Sequence, residues 1–221
     1  VINNLKNILI MILCSIIICQ DGKDTLIQFP MIPKNFNIPG IIPKTSINNN
    51  LALLPYQIDK IKDKARNYIP KPVSNKDIVI METNRGTMRL RLFPDIAPIH
   101  CKNFKKLANS GFYDQTKFHR IIKDFIIQGG DINSRDSDPQ NDGFGSAGWT
   151  IDAEFNNISH KRGILSMSHS GDPNSASSQF FICVTDSPHL DGQFTPFGEV
   201  IDRVHIIDHI ANTPTNYMVV K

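Results

Sequence analysis

Short apolar runs, each closed by turn residues, recur from residue 77 to the end of the chain, whereas apolar positions at helical spacing appear in only a few stretches. Residues 78–83 (IVIMET) and 87–93 (TMRLRLF) read as two strands around Asn84-Arg85-Gly86, a good hairpin connection. Further strands are expected at 118–121, 125–129, 164–168, 179–184, 196–201 and 218–220. Pro94 and Pro98 end the second strand and open a helix. Its apolar face is Cys101, Phe104, Leu107 and Ala108, its wet face Lys102, Lys105 and Lys106, and Gly111 stops it. A second helix over 203–211 places Val204, Ile207 and Ile210 on one side. Many short strands with only two helices predict a mainly β fold, a closed eight-stranded antiparallel β-barrel capped by those helices.

Upstream the pattern changes twice. Lys6 precedes an apolar run from Ile8 to Ile18, followed by Cys19, Gln20 and Asp21. That is shorter than the roughly 20 residues of a bilayer span, and it has the charged flank and polar exit of an export signal. Residues 1–20 are therefore expected to be a signal peptide or membrane anchor, with lipidation of Cys19 disfavoured by the bulky Ile18 before it. Residues 21–76 form a spacer: Pro30, Pro33, Pro39, Pro43 and Asn48-Asn49-Asn50 favour extended backbone. Within it Ile58, Ile61, Ala65 and Tyr68 mark a short amphipathic helix ended by Pro70 and Pro72, either docked on the domain or a solvated stalk. The globular domain spans 77–221.

Composition narrows the function classes. The 221 residues suit one domain with an extension, and the net charge of +3 comes from scattered lysines and arginines, not a basic stripe, so nucleic acid is not an implied partner. Of four cysteines only Cys101 and Cys183 lie in the domain. Both sit on apolar segments and read as buried thiols, with one bridge open if geometry and compartment allow. No zinc site follows from two cysteines, and His119, His160, His169 and His189 lack ligand spacing, so no metal or other cofactor is expected.

The chemistry concentrates in residues 118–131, FHRIIKDFIIQGGD. Arg120 and Gln128 are polar positions in strands that otherwise want burial, with Lys123-Asp124 as the turn between them. A buried guanidinium is costly unpaired, so Arg120 needs either an acidic partner in the core or a ligand at an open apolar surface. Ser166, Ser168, His169, Asp131 and Asp172 supply hydrolase residue types, yet no G-x-S-x-G elbow surrounds either serine. Gly129-Gly130 lacks the Lys-Ser/Thr ending of a phosphate loop and reads as tight packing. Residues 132–150, rich in Asp, Asn, Ser and Gly, read as a surface loop.

Two further segments complete the pattern: GILSMSHSGDPNSASSQFFI at 163–182 and HLDGQFTPFGEV at 189–200. With FHRIIKDFIIQGGD, and in this order, they resemble the cyclophilin family of peptidyl-prolyl cis-trans isomerases, closer to bacterial-type and divergent members than to the cytosolic eukaryotic form. The resemblance covers about residue 77 to the C-terminus. It implies that Arg120, Phe125 and Gln128 are catalytic. It places Ile126, Ser168, His169, Ser170, Gln179, Phe181, His189, Leu190 and Phe194 at substrate-binding positions, with 168–170 on a strand that binds substrate backbone. His189 stands where cyclosporin-sensitive members have tryptophan, which implies weakened cyclosporin binding, and Phe194 stands where the family has histidine, which implies a proline pocket altered but still apolar.

The expected activity is acceleration of Xaa-Pro rotation in proline-containing polypeptides, assisting their folding, by an exported monomer. Two alternatives stand beside it: a proline-peptide-binding module of the same fold without catalysis, and an envelope interaction protein working through residues 21–72.

Overall fold

The computed structural model describes residues 53–136 and 138–214, together with the backbone of a strand at Cys14–Cys19 (β1). The rest of the expected leader, most of the spacer and the strand expected at 218–220 lie outside the described residues. Helix α1 (Pro55–Asn67) precedes β2 (Ile78–Thr83), β3 (Gly86–Leu92), α2 (Pro98–Asn109), β4 (Arg120–Ile122), β5 (Ile126–Gly129), β6 (Ile164–Met167), β7 (Phe180–Cys183), β8 (Thr195–Asp202) and α3 (His205–Ala211).

All strands join one antiparallel sheet in the order β1-β2-β3-β8-β6-β7-β5-β4. The fold is mainly β, as the short apolar runs and their turn residues predict. The closed barrel expected from sequence is a finer statement than this order carries, because β1 and β4 stand at its two ends. The β2–β3 hairpin turns at Asn84-Arg85, where the Thr83 hydroxyl accepts from the Arg85 amide and donates to Gly86 O. The β4–β5 hairpin turns through Lys123-Asp124, with Asp124 in the left-handed region (φ 58°) that Asp tolerates better than bulkier residues.

Two apolar faces emerge where the sequence showed only apolar runs. On one face Ile127, Leu165, Met167, Phe180, Ile182 and Phe197 join the main core, with Phe104 and Leu107 of α2 and Ile207 and Ile210 of α3 packed against it. The intervening residues Ile126, Phe181 and Cys183 point the other way and form a separate cluster with Leu190. Strict period-two alternation in β5 and β7 produces this split. Every residue of these two strands is buried, so alternation was invisible in the hydropathy pattern.

The amphipathic helix docks: Ala65 is fully buried, and Ile58 and Ile61 pack on the main core. Its arrival corrects one sequence expectation. Lys105, assigned to the wet face of α2, is 1 % exposed, because residues 72–77 cross over it. Its Nζ donates to Asp77 Oδ2 (2.5 Å) and Pro72 O (3.1 Å), the compensation a buried ammonium requires.

Candidate active site

One cross-strand row builds the site. Arg120 on β4 is paired with Gln128 on β5, Gln128 with Phe181 on β7, Phe181 with Ser166 on β6, and Ser166 with Pro196 on β8. Residues directly opposite in antiparallel strands present their side chains to the same face, so five strands bring these groups together from positions far apart in sequence.

Arg120 Nη1 donates to Gln128 Oε1 (3.1 Å), and Gln128 Nε2 donates to Gln179 Oε1 (2.9 Å) and Ser168 Oγ (3.3 Å). Among the described residues no carboxylate lies within ion-pair distance of Arg120. Of the two explanations the sequence left open, the core ion pair is therefore excluded among these residues. The guanidinium is aimed by a neutral amide and keeps its charge uncompensated at a half-buried position.

Beside it lies the second apolar cluster. Ile126, Phe181 and Leu190 form its floor, and Ile122, Phe125 and Phe194 its partly exposed rim. Phe194 meets Phe181 edge-on (5.4 Å, 88°). Two histidines brace the rim: His169 lies flat on Phe194 (4.5 Å, 26°) and His189 on Phe125 (5.3 Å, 26°). His169 Nε2 donates to Gln193 O (2.8 Å), which anchors the segment before β8.

Most residues singled out from sequence converge here, with two corrections. Ser168, His169 and Ser170 were expected on a strand, but β6 ends at Met167. The ladder extends one residue, Ser168 N–H donating to Gln179 O (2.9 Å), and then breaks away toward the 3₁₀ turn at Pro173–Ser175. Ser170 is turned from the hollow: its amide and hydroxyl are both bonded to Ser175 Oγ (3.0 and 2.7 Å).

On the other side of Arg120 a cavity of about 370 Å³ is lined by His119, Pro139, Asp142, Gly143, Ser168 and His169 as well as Arg120 and Gln128. Sequence reading assigned residues 132–150 to a surface loop, but its ends turn inward, with Ile132, Ser134 and Ala147 fully buried. Asp131 clasps the loop by accepting from the amides of Asn133 (2.7 Å) and Gly143. Gln179 Nε2 joins it to the site by donating to Gly143 O and Gly145 O (2.9 Å each). Gly145 is required, since a Cβ there would stand 1.8 Å from Asp131 Oδ1. Burial pushes the Asp142 carboxyl up to about 6; Lys117 opposes the rise, and Asp131, Asp136 and Asp138 reinforce it. Burial likewise holds His119 below the ordinary imidazole value, against the pull of Asp131.

Behind the hollow lies a constellation that sequence reading missed. His160 Nδ1 is 2.8 Å from Asp191 Oδ1, and His160 Nε2 is 3.0 Å from Ser166 Oγ. These are the contacts of a hydrolytic triad, formed with neither Asp131, Asp172 nor His169. Ser166 and His160 are both 0 % exposed, so no acyl substrate reaches the hydroxyl. Among the described residues no cluster of His, Cys, Asp or Glu could hold a metal. Cys101 and Cys183 are free, buried thiols, each pushed up to about 12 chiefly by burial.

An apolar hollow outside the core, an oriented guanidinium at its edge and no accessible triad serine define a site for gripping an apolar group beside a polar backbone. Comparison with known proteins gives the class. The sequence profile of the cyclophilin type peptidyl-prolyl cis-trans isomerases matches residues 78–221. A peptidyl-prolyl cis-trans isomerase of Synechococcus elongatus is 46% identical over 123 residues, covering 56% of this chain and 79% of that protein. The peptidyl-prolyl cis-trans isomerase-like 1 of Neurospora crassa is 43% identical over 145 residues, 62% of this chain and 83% of its own length. A Cryptosporidium parvum cyclophilin-type isomerase, crystallised in the presence of the dipeptide Ala-Pro, superposes with a TM-score of 0.55 at 38% identity, over 61% of this chain and 85% of its own. The chain belongs to the cyclophilin-type peptidyl-prolyl cis-trans isomerases, and its activity is the acceleration of rotation about Xaa-Pro bonds.

Proposed function

We propose that Arg120 is the catalytic donor and that the hollow of Ile126, Phe181, Leu190 and Phe194, edged by Phe125, holds the substrate's prolyl ring. Resonance across the peptide C–N bond sets a barrier of ~18–20 kcal/mol, and no bond has to break for the isomers to exchange. As the bond twists, the prolyl nitrogen becomes pyramidal and its lone pair localises. A guanidinium N–H directed at that nitrogen stabilises the twisted state more than either planar one, which is what raises a rate. Two to three decades of acceleration need only about 3–4 kcal/mol, the order that one pre-aimed donor supplies. Burying the three ring methylenes contributes about 2 kcal/mol of grip and holds one side of the bond still while the other turns.

Gln128 has two parts in this reading: it aims Arg120, and with Gln179 it fixes the loop over the neighbouring cavity. That cavity takes a side chain near the proline, and its free acid Asp142 favours a cationic one. The observation that carries the reading is Arg120 itself, with an amide partner at 3.1 Å and, among the described residues, no carboxylate within ion-pair distance, at the edge of an apolar cluster that is not part of the core.

Clients are proline-containing polypeptides, met after export if residues 1–20 act as a leader; support for export is the Lys6 flank and the apolar run after it. Closure of the sheet into an eight-stranded barrel, a monomeric state and weakened cyclosporin affinity at His189 belong to the same reading. Exchange NMR on an Ala-Pro peptide tests its centre. The intact domain should accelerate interconversion and Arg120→Ala should lose most of it, while an Arg120→Ala variant as fast as the parent removes Arg120 from the mechanism.

A further inference from the structure

His160 and Ser166 are buried directly behind the proline pocket proposed above, Asp191 joins them from the exposed side, and the chemistry of that pocket does not use this line. Its atoms have one consistent arrangement. A carboxylate only accepts, so His160 Nδ1 carries the proton given to Asp191, and the neutral ring's Nε2 accepts from the Ser166 hydroxyl. Burial favours this neutral ring, lowering His160 against the raising effect of Asp191. Asp191 is held down to about 2, first by the His160 amide and the Ser159 hydroxyl.

A phenylalanine or leucine would fill the same space without desolvating an imidazole. What the imidazole adds is direction: two hydrogen bonds at opposite corners fix the plane of the ring. That plane lies against Phe181 (6.0 Å, 17°), and Phe181 in turn takes Phe194 edge-on. Ser166 is the cross-strand partner of Phe181, and Asp191 follows Leu190, so both ends of the line begin at the pocket.

We propose that His160, fixed between Asp191 and Ser166, is a positioning residue that sets the tilt of Phe181 and so the wall on which the prolyl ring rests during rotation. The proposal rests on the pocket being the proline site. It concerns the twisted state, because a planar prolyl peptide tolerates a wall displaced by a fraction of an ångström better than the transition state does, and small misplacements cost rate before they cost binding.

The test is exchange NMR with a saturating Ala-Pro peptide, paired with a titration of the same peptide and with the ring signals of Phe181. Ser166→Ala removes the partner of Nε2 with little change of volume. It should lower the on-enzyme exchange rate about tenfold, leave the peptide Kd within about twofold, and broaden or shift the Phe181 ring signals. Asp191→Asn, which still accepts from Nδ1, should retain more of the rate than Asp191→Ala. An unchanged rate in Ser166→Ala, or rate and affinity falling together, overturns the positioning role, as does Asp191→Asn behaving like Asp191→Ala. If the parent itself neither binds nor accelerates the peptide, the failure lies with the pocket assignment, not with the relay.

Discussion

Replacing Gln128 by alanine probes whether Arg120 works because it is present or because it is aimed. Gln128 is 9 % exposed and makes three side-chain hydrogen bonds, to Arg120 (3.1 Å), Gln179 (2.9 Å) and Ser168 (3.3 Å). The last is long and contributes least. Truncation leaves the guanidinium without its amide partner and frees it to rotate. A hydrogen bond to a charged group is worth about 1.5–3 kcal/mol, which as transition-state stabilisation amounts to about 10- to 150-fold in rate. Water entering the vacated space replaces part of the contact, so the expected loss sits near tenfold. Gln128→Glu is the sharper variant. A carboxylate at the same position would pair with Arg120 and compete with the prolyl nitrogen for the same N–H, and the donor to Gln179 would be lost. Its rate should fall at least as far as that of Gln128→Ala. Two-dimensional exchange spectra at saturating Ala-Pro peptide give the rate, and a thermal melt confirms the fold. A rate within twofold of the parent in Gln128→Ala, or full activity in Gln128→Glu, refutes the aiming argument.

The thiols and the histidines give two more tests. Cys101 and Cys183, buried and pushed up to about 12, should resist a thiol-specific reagent at neutral pH in the folded protein and react fully in denaturant; rapid labelling of either in the native state contradicts the packing. His100, His119 and His160 are all lowered from 6.5, chiefly by burial, so the unfolded chain takes up protons first as pH falls. Stability is then fully present above about pH 7 and declines as pH drops through 6.5. Asp114 and Asp142, raised by burial, act in the opposite sense, and Asp142, at about 6, is still mostly ionised toward pH 7.5. The urea midpoint should be lower at pH 6 than at pH 7.5, and a midpoint that rises on acidification refutes the assignment.

How much of the site was legible differs by residue. Arg120, Phe125, Gln128, Phe181 and Phe194 were marked by motif, and the structure brings them together. Ser170 was marked too, yet its hydrogen bonds go to Ser175, because the strand that was to carry it ends at Met167. Asp142 carried no signal, lying in a segment of Asp, Asn and Gly whose inward turn depends on Asp131 and Gln179. His160 and Ser166 are six residues apart and Asp191 follows 31 residues after His160, a spacing with no local meaning. Lys105 looked solvated because helical periodicity reports one helix and not the chain laid over it.

Local pattern alone located strands β2 to β8, the helices, their turns and the family, since apolar runs, turn residues and motif order are properties of contiguous sequence, whereas β1 lies in the run that reads as a leader. Tertiary structure decided which apolar residues make the core and which make the pocket. In strands buried on both faces hydropathy carries no phase, and only pairing register assigns Ile127 and Ile182 to the interior and Ile126 and Phe181 to the site. It also decided that Arg120 faces an amide and not an acid, which depends on the neighbours three other strands deliver and not on any residue beside it in the chain.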